Sequence, residues 1–196
     1  MKYYKDLAYG SLLKYGEELC GDVVEFYNDD DQFVAVLSDG MGSGVKANIL
    51  APLTSKIGLT MLKEGMKLEE VVDTISQTLP ICAQNKIAYS TFTLVKITSD
   101  GTAYIVEFDN PTVFFMRGKE ILELDWNERI INNKNIRECK MQIKERDRIV
   151  LISDGVEFAG GRATLNYSWQ WKDIANHLLK FTDENMNAKA ITNNLL

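Results

Sequence analysis

The sequence is poor in the side chains that bind soft and borderline metals. Its 196 residues include one histidine and three cysteines, and Cys20, Cys82 and Cys139 lie far apart without the spacing of a metal motif. Zinc sites in proteins are built mainly from cysteine and histidine. The sequence therefore offers no ligand set for zinc, and an odd number of scattered cysteines predicts reduced thiols.

Long apolar runs and an excess of positive charge are also missing. No stretch approaches the roughly 18 apolar residues that a membrane span needs, and the N-terminus has no signal-peptide core. The formal net charge of −6 argues against general binding to nucleic acid or to an anionic membrane. We expect a single domain over residues 1–196, located in the cytoplasm, with neither nucleic acid nor membrane as a partner.

What the sequence does contain is one short pattern, twice. Residues 33–37 and 149–152 are apolar runs of strand length, and each leads into Ser-Asp-Gly, at Asp39 and at Asp154. A strand fixes where its last side chain points, so two such ends on neighbouring strands would hold both carboxylates around one point. Asp-Gly is also the commonest way to leave a strand, but the duplication favours a metal site.

A third carboxylate belongs with this pair. Residues 23–27 have the pattern of a strand and residues 28–31 that of a turn, and the strand to Asp39 follows. In such a hairpin Asp22, at the start of one strand, lies opposite Asp39, near the end of the other. All three acids are oxygen donors, the ligand type that Mg²⁺ and Mn²⁺ prefer.

The glycine-rich stretch after Asp39 allows another interpretation. Gly40, Gly42 and Gly44 precede a helical pattern that opens at about Val45, an arrangement also found in phosphate-binding loops. The match to the dinucleotide fingerprint is only partial, and no Gly-Lys-Ser/Thr sequence ends the loop. The negative charge of Asp39 would also lie where such a loop has to accept phosphate. A nucleotide-binding protein therefore remains an alternative function, although a less favoured one than a metal site.

Helices and short strands account for the remaining sequence. Apolar residues at helical spacing predict helices over 45–63 and 68–79, with Pro52 kinking the first or marking its true start. Short apolar runs separated by turns predict an antiparallel meander over 90–98, 102–108, 113–116 and 121–124. A polar connection is expected over 126–138, before a strand over 141–144 and the strand that leads to Asp154. A helix over 169–180 carries His177, interpreted as a structural residue.

Five segments together carry a resemblance to one family. They are Cys20-Gly21-Asp22, Ser38-Asp39-Gly40-Met41-Gly42-Ser43-Gly44-Val45-Lys46-Ala47, Tyr89-Ser90-Thr91-Phe92-Thr93-Leu94, Asn110-Pro111 and Ser153-Asp154-Gly155-Val156. In this order they resemble the motifs of the metal-dependent type 2C (PPM) protein phosphatases, in the branch typified by stage II sporulation protein E. The segment around Asp39 is the most specific of them.

The resemblance implies a fold, an activity and a site. The fold is α+β, an α/β/β/α sandwich of two mainly antiparallel sheets flanked by helices. The activity is that of a bacterial signalling phosphatase, in which two Mn²⁺ or Mg²⁺ ions activate a water against phosphoserine or phosphothreonine. Asp39 resembles the bridging metal ligand and Asp154 a metal ligand, and both are the catalytic residues. Gly40 resembles a backbone-carbonyl ligand, and Asp22 a ligand directly or through water. The implied partner is a phosphoprotein substrate such as an anti-sigma-factor antagonist.

The chain departs from the family pattern in two places. The family ends with a strand whose Gly-Asp-Asp motif completes the metal site, and the sequence up to Leu196 contains no such strand. We therefore expect a fragment without the C-terminal strand, with weak activity or none. The phosphate-binding arginine of many type 2C phosphatases also has no counterpart. The alternative function is accordingly a catalytically impaired signalling module that keeps the fold and binds partners.

Overall fold

Within the described residues, nine strands form two antiparallel sheets. The computed structural model describes residues 4–13, 20–40, 45–78, 90–131, 134–158 and 169–196. The strands are β1 (Asp22–Asn28), β2 (Gln32–Gly40), β3 (Ser90–Thr98), β4 (Thr102–Phe108), β5 (Phe114–Arg117), β6 (Glu120–Ile121), β7 (Asn127–Ile131), β8 (Lys134–Gln142) and β9 (Arg148–Val150). The larger sheet has the order β1-β2-β3-β4-β8-β7, and the smaller sheet has the order β6-β5-β9.

Helices pack on both sheets. They are α1 (Val45–Lys63), α2 (Leu68–Thr78), α3 (Asp154–Glu157), α4 (Trp171–Phe181) and α5 (Ala188–Leu195). The helices predicted over 45–63 and 68–79 are confirmed, and α1 runs through Pro52 instead of starting there. Gly65 follows α1 with a φ of 81°, a left-handed conformation that glycine adopts without steric cost. Across the described residues, no helix combines the length and the apolar character that crossing a bilayer requires.

Three hydrophobic clusters define four layers. The first lies between the larger sheet and helices α1 and α2, and it includes Val36 of β2 and Leu59 of α1. The second lies between the two sheets and includes Ile105 of β4 and Phe115 of β5. The third joins Phe114 of β5 to side chains of α4 and α5. Neighbouring residues of β5 thus serve different layers, as strand alternation requires. The order helix, sheet, sheet, helix confirms the predicted α/β/β/α sandwich.

The polar stretch over 126–138 was wrongly predicted to be a connection. It contains β7 and most of β8, which pair as an antiparallel hairpin at the outer edge of the larger sheet. Of β8 only Ile136 and Cys139 are buried, and of β7 no residue is fully buried. Because an edge strand is half solvated, its sequence can be mostly polar and still pair. Arg129 of β7 supports the pairing through an ion pair with Glu138, at 3.3 Å.

The predicted single meander is also wrong in part. Strand β4 pairs with β8, while β5 and β6 leave the larger sheet and build the smaller one with β9. The reason lies in residues 113–116, which are apolar without interruption and fully buried. Such a strand has to be covered on both faces, and the smaller sheet provides this between the other sheet and α4. The strand predicted over 141–144 overlaps only the last two residues of β8.

Candidate functional site

The first hairpin brings two predicted site residues together. Strands β1 and β2 pair antiparallel with Asp22 opposite Asp39, and the Gly40 amide donates to the Gly21 carbonyl at 3.0 Å. At the far end, Asp29 holds the turn because its Oδ1 accepts two backbone amides, at 2.9 and 2.7 Å. The local sequence therefore sets the register that places Asp22 beside Asp39, as predicted.

Asp154 reaches the same place from the other sheet. It is the first residue of α3, immediately after the segment that continues β9. The Ser153 hydroxyl donates to Asp22 Oδ2 at 2.7 Å, which ties this segment to the start of β1. The two Ser-Asp-Gly segments thus do not leave neighbouring strands of one sheet. They converge across the sandwich, because β2 and β9 belong to different sheets.

The carboxyl group of Asp39 is strongly perturbed by this convergence. Burial, followed by the negative charges of Asp22 and Asp154, raises its pKa to about 8. Burial and the charge of Asp154 also raise the pKa of Glu157, the last residue of α3. Like charges this close are tolerated when one of them binds a proton or when a cation lies between them. The cluster therefore favours a bound proton or a bound cation.

The donor set fits a hard divalent cation but does not form a complete cage. The side-chain donors are carboxylate oxygens, which Mg²⁺ and Mn²⁺ bind while Mg²⁺ commonly keeps several waters. Over the ranges that the structure describes, no three or more His, Cys, Asp or Glu side chains form a group that could hold an ion. To hold an ion, the carboxylates would have to reorient, and water or backbone oxygen would have to supply the remaining ligands.

The site is open on one side. Asp39 is half-buried at the end of β2, whereas Asp154 and Gly155 are exposed. A Cβ added at Gly155 would lie 3.9 Å from Asp22 Oδ2 and 3.6 Å from Ser153 Oγ, both ordinary contact distances. Gly40 and Gly155 do not have a positive φ, so a left-handed backbone is not the reason for glycine at these two positions. Asp154 therefore lies at the exposed rim of the cluster.

Several sequence predictions fall on parts of the chain outside the described residues. These are the glycines of the alternative nucleotide loop, Gly42 and Gly44, together with Cys82 and Tyr89. Of the cysteines that the structure describes, Cys20 and Cys139 are free, in agreement with the predicted reduced thiols. His177 packs between the rings of Trp169 and Phe181, and its Nε2 lies 2.9 Å from the Asn194 carbonyl oxygen. It links α4 to α5, far in sequence from the acids, as expected of a structural residue.

Three polar residues around the acids were given no individual role by sequence reasoning. Ser153 binds Asp22, the Ser90 hydroxyl donates to the Asp39 carbonyl at 2.7 Å, and Asn110 connects the two sheets. All three are buried, and all three fall inside the segments that carried the family resemblance. Their position in these segments was the sequence signal that could have identified them, but it did not reveal what each residue contacts.

Known proteins of one kind are similar to this chain. A family model described as Stage II sporulation protein E (SpoIIE) matches residues 29–193. Stage II sporulation protein E of Bacillus subtilis (strain 168) is 26% identical over 140 residues, which are 69% of this chain and 17% of that protein. The chain thus spans less than a fifth of the length of this curated relative.

Solved structures share the fold. The PP2C phosphatase domain of the cell fate determinant SpoIIE from Bacillus subtilis, solved with a fragment of its regulatory domain, matches with a TM-score of 0.70 and 22% identity. The match covers 90% of this chain and 52% of that one. RsbX in complex with magnesium matches with a TM-score of 0.64 and 18% identity, over 94% of this chain and 82% of that one.

Proposed function

The chain belongs to the stage II sporulation protein E family, and we propose that it is a metal-dependent phosphatase acting on phosphoserine or phosphothreonine in a regulatory protein. The observation that carries the proposal is the convergence of Asp22, Asp39 and Asp154, where burial, followed by the charges of Asp22 and Asp154, raises the pKa of Asp39 to about 8. Phosphate esters hydrolyse extremely slowly without help, so such an enzyme needs concentrated positive charge beside the phosphoryl group. Clustered carboxylates are how a protein retains that charge.

The residues proposed to hold the ions come from the family resemblance, and the convergence of the three acids supports them. Asp39 and Asp154 would be the principal ligands, with the Gly40 carbonyl and Asp22 as further ones. Bound Mn²⁺ or Mg²⁺ ions supply a water of lowered pKa and neutralise the phosphoryl oxygens. Ser153 would orient Asp22 by its hydrogen bond at 2.7 Å, and Asp39 would release its proton when an ion binds. The magnesium complex of RsbX, which shares the fold, supports a hard cation.

The substrate proposed is a phosphoprotein of the anti-sigma-factor-antagonist type. Two points support it: the family to which the chain belongs, and the exposed position of Asp154, which leaves the site open to a protein surface. The activity, substrate and partners of any longer protein that contains this chain are part of the same proposal.

The test is phosphatase activity with matched aspartate variants. Hydrolysis of p-nitrophenyl phosphate and of a phosphoserine peptide would be measured over a range of Mn²⁺ and Mg²⁺ concentrations, with EDTA as the zero point. Because weak activity is expected of this chain, we expect low, metal-dependent turnover that increases with Mn²⁺ concentration and falls to background in Asp39→Asn and in Asp154→Asn. Asp31→Asn is the matched control, because Asp31 is exposed at the opposite end of the β1–β2 hairpin.

Two results would count against the proposal. Equal rates in all variants, unaffected by EDTA, would reject the two-metal mechanism. Loss of activity in Asp31→Asn as large as in Asp39→Asn would show that the effect is general destabilisation and not loss of a ligand.

A second candidate is a signalling module that keeps the fold and binds its phosphoprotein without hydrolysing it. It is favoured by the observation that the described acids do not form a ready metal cage. Stable binding of a phosphoprotein with no phosphate release at any Mn²⁺ concentration would select this candidate over the enzyme.

A further inference from the structure

One buried amide side chain joins the two sheets at the end where the acids lie. Asn110 belongs to the turn that leaves β4 of the larger sheet and leads into β5 of the smaller one. Its Nδ2 donates to Thr93 Oγ1 at 2.8 Å and to the Ile152 carbonyl at 3.2 Å, and its Oδ1 accepts from Thr91 Oγ1 at 3.3 Å. Only 7% of the residue is exposed, so these bonds lie away from water.

Both ends of this connection lead to a candidate metal ligand. Thr91 is the register partner of Asp39 across the β2–β3 pair. Ile152 lies two residues before Asp154, in the segment that has left the β9 ladder and lacks regular strand pairing. Because no ladder bond holds this segment, its carbonyl is positioned by the side chain that it accepts from. Together with the Ser153–Asp22 bond, Asn110 therefore links the larger sheet, at the strand of Asp39, to the segment that carries Asp154.

The turn around Asn110 is itself firmly anchored. The Val113 amide donates to Glu107 Oε1 at 2.8 Å, and the Thr112 hydroxyl accepts from Arg137 at 2.6 Å. Arg137 also binds Glu107, whose side chain is 1% exposed. A hydrogen-bonded network around a buried carboxylate restrains the segments that it joins. The amide of Asn110 is thus a fixed support and not a surface side chain that follows the motions of its partners.

We propose that Asn110 is a positioning residue, which holds Asp154 at the correct distance from Asp39 for a shared ion. The proposal rests on the proposed function, since it assigns a purpose to the geometry of that site. Outer partners of metal ligands typically change metal affinity by about 10- to 100-fold when they are removed. A merely structural asparagine would lower stability without changing affinity in a way specific to Asp154.

The experiment compares Asn110→Ala, in the turn after β4, with a substitution of a buried polar residue at the other end of β4. Thr102 begins β4, is 4% exposed and accepts from Gln142 Nε2 at 2.8 Å, so Thr102→Val is the matched control. Mn²⁺ affinity would be measured by calorimetry on the whole chain, and amide exchange of residues 152–158 on the metal-free chain. Thr93→Val, which removes one of the two acceptors of the amide, serves if Asn110→Ala fails to fold.

We expect Asn110→Ala to weaken Mn²⁺ binding by about 10-fold or more and to speed exchange over 152–158, whereas Thr102→Val changes neither beyond about twofold. Adding Asn110→Ala to Asp154→Asn should then cost little further affinity, because Asn110 acts through Asp154. Equal effects of Asn110→Ala and Thr102→Val on both measurements would overturn the proposal. If the parent chain binds no Mn²⁺, the proposed function fails and the positioning of Asp154 for an ion fails with it. Mn²⁺ binding by the parent that Asn110→Ala leaves unchanged would overturn the positioning role alone.

Discussion

At the scale of single residues, Asp39 shows a conflict between binding and stability. Its pKa is about 8 in the folded chain, whereas an unperturbed aspartate has a pKa of about 3.9. Between these values the folded state retains a proton that the unfolded state has released. The free energy of unfolding of the metal-free chain therefore decreases as pH rises from about 4 to about 8, so far as Asp39 determines it.

Replacing this carboxylate should stabilise the metal-free chain at neutral and alkaline pH. Asp39→Asn removes the charge that burial and the two neighbouring aspartates disfavour. After a discount for solvent screening, a gain of roughly 2 kcal/mol corresponds to about 4–8 °C in the melting temperature of a domain of this size. The gain should be largest near pH 8 and vanish near pH 4, as measured by thermal unfolding in EDTA.

Asp31→Asn provides the comparison for this measurement, because Asp31 is exposed at the far end of the hairpin from Asp22 and Asp39. A melting temperature of Asp39→Asn that equals or lies below that of the parent at pH 8 would contradict the crowding of charge at this site.

Single residues also show where sequence reasoning stops. Asp22 and Asp39 could be placed together because one short turn fixes their register, and register is a local property. The contacts of Asn110 join residues 17, 19 and 42 positions apart in the chain, and they depend on how two sheets stack. No periodicity in a single sequence encodes that stacking. A motif can therefore identify such a residue without revealing its partners.

At the scale of elements, the packing of α1 on the larger sheet depends on Gly58. A Cβ added there would lie 3.1 Å from Leu94 Cδ2 and 3.7 Å from both Val36 methyl groups. The helix therefore lies close to β2 and β3. Near its start, Asn48 Nδ2 donates a hydrogen bond to the Cys20 carbonyl at 3.0 Å, two residues before Asp22. The position of α1 on the sheet is therefore coupled to the position of the chain at the start of β1.

Side chains of different size at Gly58 should separate helix propensity from packing. Gly58→Ala gains up to about 1 kcal/mol of helix propensity, which offsets one tight contact with a movable Leu94 methyl, so we expect a change within about 1 kcal/mol. Gly58→Leu has to displace the helix and should destabilise by about 1–3 kcal/mol or more. Urea unfolding measures both. A leucine variant as stable as the alanine variant would show that α1 is not held close to the sheet.

The elements differ in how well the sequence predicts them. Helix α1 is 19 residues long, α2 is strongly amphipathic, and the strand ending at Asp39 contains a continuous apolar run, so each carries its signal internally. Strands β7 and β8 carry little such signal, because an edge hairpin exposes one face and is held by charged pairs such as Arg129 with Glu69 and Glu138. Their polar composition reflects their place in the sheet, which only the assembled fold defines.

At the scale of the whole molecule, the candidate ligands come from both halves of the sandwich. Asp22 and Asp39 belong to the larger sheet, while Asp154 follows the last strand of the smaller one. The layer between the sheets is apolar, so the Ser153–Asp22 bond and the bonds of Asn110 are polar links across it at the site end. An ion bound by acids from both sides would add a further link between the sheets.

Divalent metal should therefore stabilise the whole fold, and nucleotide alone should not. At a Mn²⁺ concentration about 100 times its Kd, binding adds about 2.7 kcal/mol, which corresponds to a rise of about 5–10 °C in melting temperature. Asp154→Asn should lose most of this rise, because the ion then binds the larger sheet only, whereas Asp31→Asn should keep it. ATP or NAD in EDTA should give no rise, since the negative charges of Asp22 and Asp154 repel phosphate. A clear metal-free rise with either nucleotide would favour the glycine-rich phosphate loop, and an unchanged response of Asp154→Asn to Mn²⁺ would show that no ion links the two sheets.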